Sequence, residues 1–162
     1  MCKRLIKSGC QNINLPTNIT GDTLLHRAVR ENDLVNVQIL VAISEVNLNT
    51  TNRDGVTPLY LALRGYFEKV IEYYYQLIKS LKPLSYHLLL INMQVFIVLL
   101  NAGADYNKTY KHGKSLIYIA AEKNLVNFAV LLLKQGANTN TQTKLWKQTP
   151  LFIAAKKGHL QV

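Results

Sequence analysis

The sequence predicts an all-α fold, a solenoid of stacked helix-turn-helix units with projecting β-hairpin loops. Three observations carry this. First, an opening of one polar residue, then proline or leucine, then an apolar residue recurs at Thr23-Leu24-Leu25, Thr57-Pro58-Leu59, Lys82-Pro83-Leu84, Ser115-Leu116-Ile117 and Thr149-Pro150-Leu151, at spacings of 34, 25, 33 and 34 residues. Second, three of the four prolines occupy the same phase, one residue after the opening. A missing N–H costs a helix nothing there, because that group has no intrahelical partner. Third, the glycine stops recur: LLNAGADYN over 99–107 matches LLKQGANTN over 132–140.

The stretch from Gly113 to Asn140 is one complete copy. Ser115 opens a short apolar run ending in Ala120 and Ala121, a polar break covers Glu122 to Asn124, and a longer apolar run spans Leu125 to Leu133 before Gly136. That is a helix, a tight turn, a second helix and a residue that tolerates positive φ. Helices this short are marginal in water on their own, so each unit must stack on its neighbours.

The other copies follow in order. Met1 to Asn14 reads as the end of a unit. Thr23 opens an inner helix over about Leu24–Glu31 and an outer helix over about Leu34–Ile43, with Leu24 in place of proline and Ser44 in place of the glycine stop. Asp54-Gly55 supplies a positive-φ hairpin turn. Thr57 opens the next copy, with an inner helix over about Pro58–Gly65 and an outer helix over about Glu68–Lys79. The 25-residue spacing to Lys82 leaves no room for a hairpin between Lys79 and Pro83. The inner helix after it, about Pro83–Ile91, puts His87 and Leu88 where other copies put alanine and another small or apolar residue, so the stack is expected to be irregular between residues 65 and 95. The last opening, TPLFIAAKKGHLQV, stops at the turn before an outer helix. The expected division is a partial unit over 1–20, repeats over about 21–54, 55–80, 81–112 and 113–146, and a truncated unit over 147–162. Both ends cut through a unit, which fits a fragment of a longer protein.

A period of about 33 residues with a Thr-Pro-Leu-His-x-Ala opening resembles the ankyrin repeat, and the resemblance covers nearly the whole chain. It implies a non-enzymatic module that binds another protein through its hairpin tips and the exposed side of its inner helices, which together line a concave face. Transferred position by position, that face comprises Arg30, Arg53, Asp54, Arg64, Tyr110, Lys111, His112, Lys114, Lys123, Lys144, Trp146, Lys156 and Lys157. The set is mostly basic, and Arg, Tyr and Trp are the residue types enriched at binding hot spots. Trp146 is the sharpest signal, an aromatic on a hairpin tip that is otherwise polar.

The net charge of +10 favours an acidic protein partner, nucleic acid or an anionic surface. Lysine, asparagine, isoleucine and tyrosine share AT-rich codons, so part of the basicity reads as nucleotide bias, compatible with a bacterial or viral repeat protein acting in its own cell or in a host. No groove-reading motif accompanies the charge, which places nucleic-acid binding second. A degenerate remnant without a partner is the other alternative.

No catalytic arrangement is present in the sequence: no phosphate loop, no dinucleotide fingerprint, no His-Glu-x-x-His and no Cys-x-x-Cys. No cofactor and no metal are expected. His26 holds the histidine position of the opening and reads as a structural hydrogen-bonding residue. His87 reads as buried and paired with backbone, His159 as the turn histidine, and His112 lies on a hairpin tip. Tyr73, Tyr74 and Tyr75 read as helix packing rather than a base-stacking set. Leu84 to Leu100 is interrupted by Asn92 and Gln94 and reads as a buried repeat rather than a membrane span. Cys2 and Cys10 fit neither a disulfide framework nor a metal spacing, and only Leu5 and Ile6 separate Arg4 from Lys7. A reducing, cytoplasmic setting and a monomer are therefore expected. The Asn-x-Thr triplets at Asn18, Asn49 and Asn107 read as incidental in so asparagine-rich a chain.

Overall fold

The computed structural model describes residues 13–78 and 86–162, and of residues 76–78 and 86–89 the backbone alone. The chain falls into two compact units, Met1–Ala104 and Asp105–Val162. In the first, α1 (Leu24–Arg30) and α2 (Leu34–Val41) form a short pair, and α3 (Pro58–Ile78) and α4 (Tyr86–Asn101) a longer one. In the second, a 3-10 turn (Lys111–Gly113) leads into α5 (Leu116–Glu122), α6 (Val126–Lys134) and α7 (Pro150–Lys157). The fold is the expected all-α repeat. The projecting loops turn back through single backbone bonds, from Asn52 N–H to the Val56 carbonyl (3.0 Å), Tyr110 to Lys114 (2.8 Å) and Thr143 to Gln148 (3.1 Å). Among the described residues they form no strand, only a bridge between Thr109 and Ser115.

The openings act as helix caps. The side-chain oxygens of Thr23, Thr57, Ser115 and Thr149 accept from the backbone N–H three residues on, at 3.4, 3.3, 3.3 and 3.2 Å. Each such cap stabilises its helix by about 1 kcal/mol. Pro150 stands in the first turn of α7, where its fixed φ suits the helix.

The turns between inner and outer helices depend on one position, nine residues after the opening. Asn32, Asn124 and Gly158 occupy it, with φ of 55°, 56° and 72°. Each lets the next N–H reach back to an alanine carbonyl, Asp33 to Ala28, Leu125 to Ala120 and His159 to Ala154, all at 2.9 Å. In the copy opened by Thr57 that position is Tyr66, and in the copy opened by Lys82 it is Ile91. Neither residue adopts the left-handed region readily. No turn forms. The expected helices Pro58–Gly65 and Glu68–Lys79 are instead one 21-residue helix, and residues 86–101 are a single 16-residue helix running through Ile91.

Gly65, one position too early for the turn, serves packing. A Cβ there would lie 3.2 Å from the Asn92 side-chain oxygen. α3 packs on α1 and on α4, while α4 packs on α2, so α3 and α4 take the inner and outer places of a single enlarged pair. This is the form that the expected irregularity takes. The readings of residues 1–12 as the end of a unit, of Lys82 as an opening, of the junction from Lys79 to Pro83, and of the His87 and Leu88 side chains lie outside the described residues.

Outer helices end as their sequences predict. Gly103 (φ 88°) and Gly136 (φ 84°) allow Ala104 to donate to Leu99 and Ala137 to Leu132, at 3.1 and 3.0 Å, the double-bonded stop that an αL glycine permits. The small inner-helix residues Ala28, Ala62, Ala120 and Ala154 are buried, as are Leu40, Val95, Phe96 and Leu99 in the first unit and Leu116, Phe128 and Leu132 in the second. Among the described residues no helix is long and apolar enough to cross a membrane. Asn92 is buried in the middle of α4.

Candidate functional site

The surface singled out by sequence is built from the loop fingers and the start of the inner helices. Neighbouring fingers are tied by backbone: Arg53 N–H donates to the Thr20 carbonyl (3.0 Å) in the first unit, and Lys144 N–H to the His112 carbonyl (2.8 Å) in the second. Both contacts require glycine. Gly21 and Gly113 have φ of 76° and 74°, and a Cβ at either would meet the incoming backbone nitrogen, of Arg53 at 3.0 Å and of Lys144 at 3.1 Å. The exposed side chains of Arg53, Asp54, Lys111, His112 and Lys144 are thereby held at the tips.

A second device joins the residue before two of the openings to the residue eight positions on. In the first copy Asp22 accepts from Arg30 (2.8 Å). In the copy opened by Ser115 the charges are reversed, Lys114 donating to both oxygens of Glu122 at 2.8 and 2.9 Å. Arg64 pairs instead with Glu68 (3.4 Å). Three members of the expected basic set, Arg30, Arg64 and Lys114, therefore have their charge compensated within the chain.

Around Asp22 the pairing grows into a network. Asn52 donates to its other oxygen (2.9 Å). Burial opposes ionisation of Asp22, but the hydrogen bonds from Asn52 and Arg30, with those of Thr20 and Asn18, outweigh it and bring its pKa down to about 2. His26, fully buried, stands beside this network with Nδ1 2.8 Å from the Thr23 hydroxyl and Nε2 2.9 Å from the Val56 carbonyl. A carbonyl only accepts, so Nε2 carries the proton and Nδ1 accepts. Burial lowers its pKa, with the Val56 bond opposing. His26 is structural, as expected. His159 also bonds backbone, its Nδ1 lying 2.8 Å from the Ala121 carbonyl.

The second unit holds a cleft of about 300 Å³ beside the fingers. Lys114 in the loop before α5, with Tyr118 and Glu122 on α5, forms its floor. The finger residues Leu145 and Trp146 wall it, and Ile153 of α7 closes it. Lys114 Nζ lies 5.4 Å from the Tyr118 ring centre, and the Tyr118 hydroxyl donates to Gln148 (2.9 Å). Burial, then the nearby Glu122 carboxylate, raises the Tyr118 pKa against the opposing effect of Lys114. Trp146 is 78% exposed and Leu145 71%, so the walls present apolar surface to solvent.

Of the residues singled out by sequence, the cleft brings together His112, Lys114 and Trp146, with Tyr110, Lys111 and Lys144 on the same two fingers. Arg30, Arg53, Asp54 and Arg64 belong to the other unit. Lys123 caps the end of α5, and Lys156 and Lys157 lie exposed in the last turn of α7. Tyr118, Glu122, Leu145, Gln148 and Ile153 were not foreseen as part of a site. Tyr118 and Glu122, four apart, share one face of α5, and Lys114 reaches that face from the extended residue before the Ser115 cap. Tyr74 and Tyr75 are more than half exposed, with Tyr73 and Tyr74 in edge contact at 5.8 Å. Among the described residues no cluster of metal-ligating side chains occurs.

Comparison with known proteins agrees with this architecture. A family model described as Ankyrin repeats (3 copies) matches residues 1–78 and 87–162. Neurogenic locus notch homolog protein 1 of Danio rerio is 35% identical over 151 residues, covering 93% of this chain and 5% of that protein. The human protein of the same name is 34% identical over 152 residues, with 94% and 5% covered. Human neurogenic locus notch homolog protein 2 is 33% identical over 140 residues, with 86% and 5% covered. The chain thus spans about a twentieth of the length of the curated relatives it matches.

Proposed function

The chain belongs to the ankyrin-repeat family, whose members are protein-interaction modules, and on that premise we propose that it binds a protein partner of acidic character without catalysis. The binding residues are those of the finger and inner-helix face of each unit: Arg30, Arg53, Asp54 and Arg64 in the first, and Tyr110, Lys111, His112, Lys114, Lys123, Lys144, Trp146, Lys156 and Lys157 in the second. One observation carries the acidic character. The unit Asp105–Val162 has nine lysines against two carboxylates, Asp105 and Glu122, so +7 of the chain's +10 resides there. Glu122 is already occupied by Lys114, which leaves the tips strongly positive. Among the described residues no carboxylate pairs with Lys111, Lys144, Lys156 or Lys157. The protein acts as a monomer in a reducing compartment, of its own cell or of a host; the AT-rich residue usage supports a bacterial or viral source.

Binding of a Glu-rich polypeptide and of duplex DNA of arbitrary sequence, each followed by anisotropy at two salt concentrations, tests this reading. The polypeptide is expected to bind and to lose affinity with Lys111→Glu and Lys144→Glu. Tighter binding of duplex, collapsing steeply with salt, would instead establish the nucleic-acid reading.

A further inference from the structure

We infer that the cleft between Tyr118 and Trp146 is an anchor pocket for one leucine-sized apolar side chain carried on an acidic segment of the partner. This rests on the proposed interaction with an acidic protein and specifies its chemistry. The contents of the cleft select the guest. Its volume of about 300 Å³ is at the lower end of ligand pockets, room for a single large side chain. Leu145, Trp146 and Ile153 offer it apolar surface, two of them largely exposed in the free protein. Covering such surface is a main source of affinity.

The fixed charges inside disfavour a cationic guest. Lys114 neutralises Glu122, bonding both its oxygens at 2.8 and 2.9 Å, so a cationic side chain finds no uncompensated negative charge. The Tyr118 hydroxyl donates to Gln148 Oε1 at 2.9 Å, so a guest that needs the Tyr118 proton would have to displace an existing bond. At the rim the balance is different. Lys111 and His112 on one finger and Lys144 on the next stand exposed, tied together by the bond from Lys144 N–H to the His112 carbonyl. Asp105, the other carboxylate of the unit, accepts from Asn107 N–H (2.9 Å) in its own loop. An apolar residue flanked by carboxylates therefore meets both parts of the site, the first seated in the cleft and the second at the tips.

The chain supplies its own reporter, because Trp146 is the only tryptophan. The full chain is titrated with three short peptides: an acidic peptide with one central leucine, the same peptide with alanine there, and a lysine-rich peptide with the leucine. The acidic leucine peptide is expected to shift Trp146 emission to the blue and to bind about tenfold more tightly than its alanine counterpart. By anisotropy of labelled peptide, Trp146→Ala and Leu145→Ser should each remove that tenfold preference while leaving helical circular dichroism unchanged, since both side chains are mostly exposed. Equal binding of the leucine and alanine peptides with unaltered emission would overturn the pocket and leave the acidic-partner reading standing. Equal binding of the lysine-rich peptide would overturn the acidic flanks. Failure of both acidic peptides to bind would overturn the pocket and the acidic-partner reading together.

Discussion

Replacing Asp22 by asparagine probes the buried network of the first unit with little change of shape. Asp22 is 1% exposed and holds Arg30 and Asn52 at 2.8 and 2.9 Å. Its pKa falls from 3.8 to about 2 on folding. At about 1.4 kcal/mol per unit, the ionised carboxylate stabilises the fold by about 2 kcal/mol. The sign follows from the direction. A carboxylate with a depressed folded pKa contributes fully above its unfolded value of 3.8 and loses that contribution as pH falls through about 2. Asp22→Asn should therefore lower stability by about 2 kcal/mol at neutral pH, and the gap should close on acidification toward about pH 2. Urea melts of both proteins at several pH values, followed by circular dichroism, measure this. His26, whose pKa burial lowers and the Asp22 charge partly restores, adds a further loss of stability as pH falls below its unfolded value of 6.5, larger in Asp22→Asn, where that charge is gone. A gap that is absent at neutral pH, or that persists unchanged into acid, would refute the network as described.

Other substitutions test the remaining elements. Leu132 is fully buried in α6, so Leu132→Ala should cost about 2 to 5 kcal/mol, read as a lower urea midpoint. Gly113→Ala forces a Cβ to within 2.9 Å of Lys144 Cγ and 3.1 Å of its nitrogen at φ 74°; a loss of about 1 to 3 kcal/mol is expected, with faster amide exchange at Lys144. Asn124→Ile puts a β-branched residue at φ 56° and should cost about 1 to 2 kcal/mol in the same melt.

The helix starts and stops were legible because single side chains set them. Thr23, Thr57, Ser115 and Thr149 cap as read, and Gly103 and Gly136 end α4 and α6 as read. Residues 58–78 form one helix although hydrophobic pattern and period match the other copies, because the ninth position of the copy decides the turn. Asparagine or glycine there permits the turn, and Tyr66 and Ile91 do not. The expected inner helix ended at Gly65, whose role is instead the close approach of Asn92 on the next helix. The candidate site was legible in its cations and in Trp146. Its floor was not, because Lys114, Tyr118 and Glu122 are ordinary surface and core residues until the finger of Thr143 to Gln148 folds over them. The compensation of Arg30 by Asp22 and of Lys114 by Glu122 was equally hidden: the eight-residue separation of each pair spans a loop and a helix.

Chemical-shift mapping of the isotopically labelled full chain, titrated with the acidic leucine-centred peptide, tests the interaction surface most directly. The account predicts perturbations concentrated at Tyr110 to Tyr118 and Thr143 to Ile153, with the largest change at the Trp146 indole N–H. Perturbations centred on the outer helices α2 and α6, with the Trp146 signal unmoved, would contradict it.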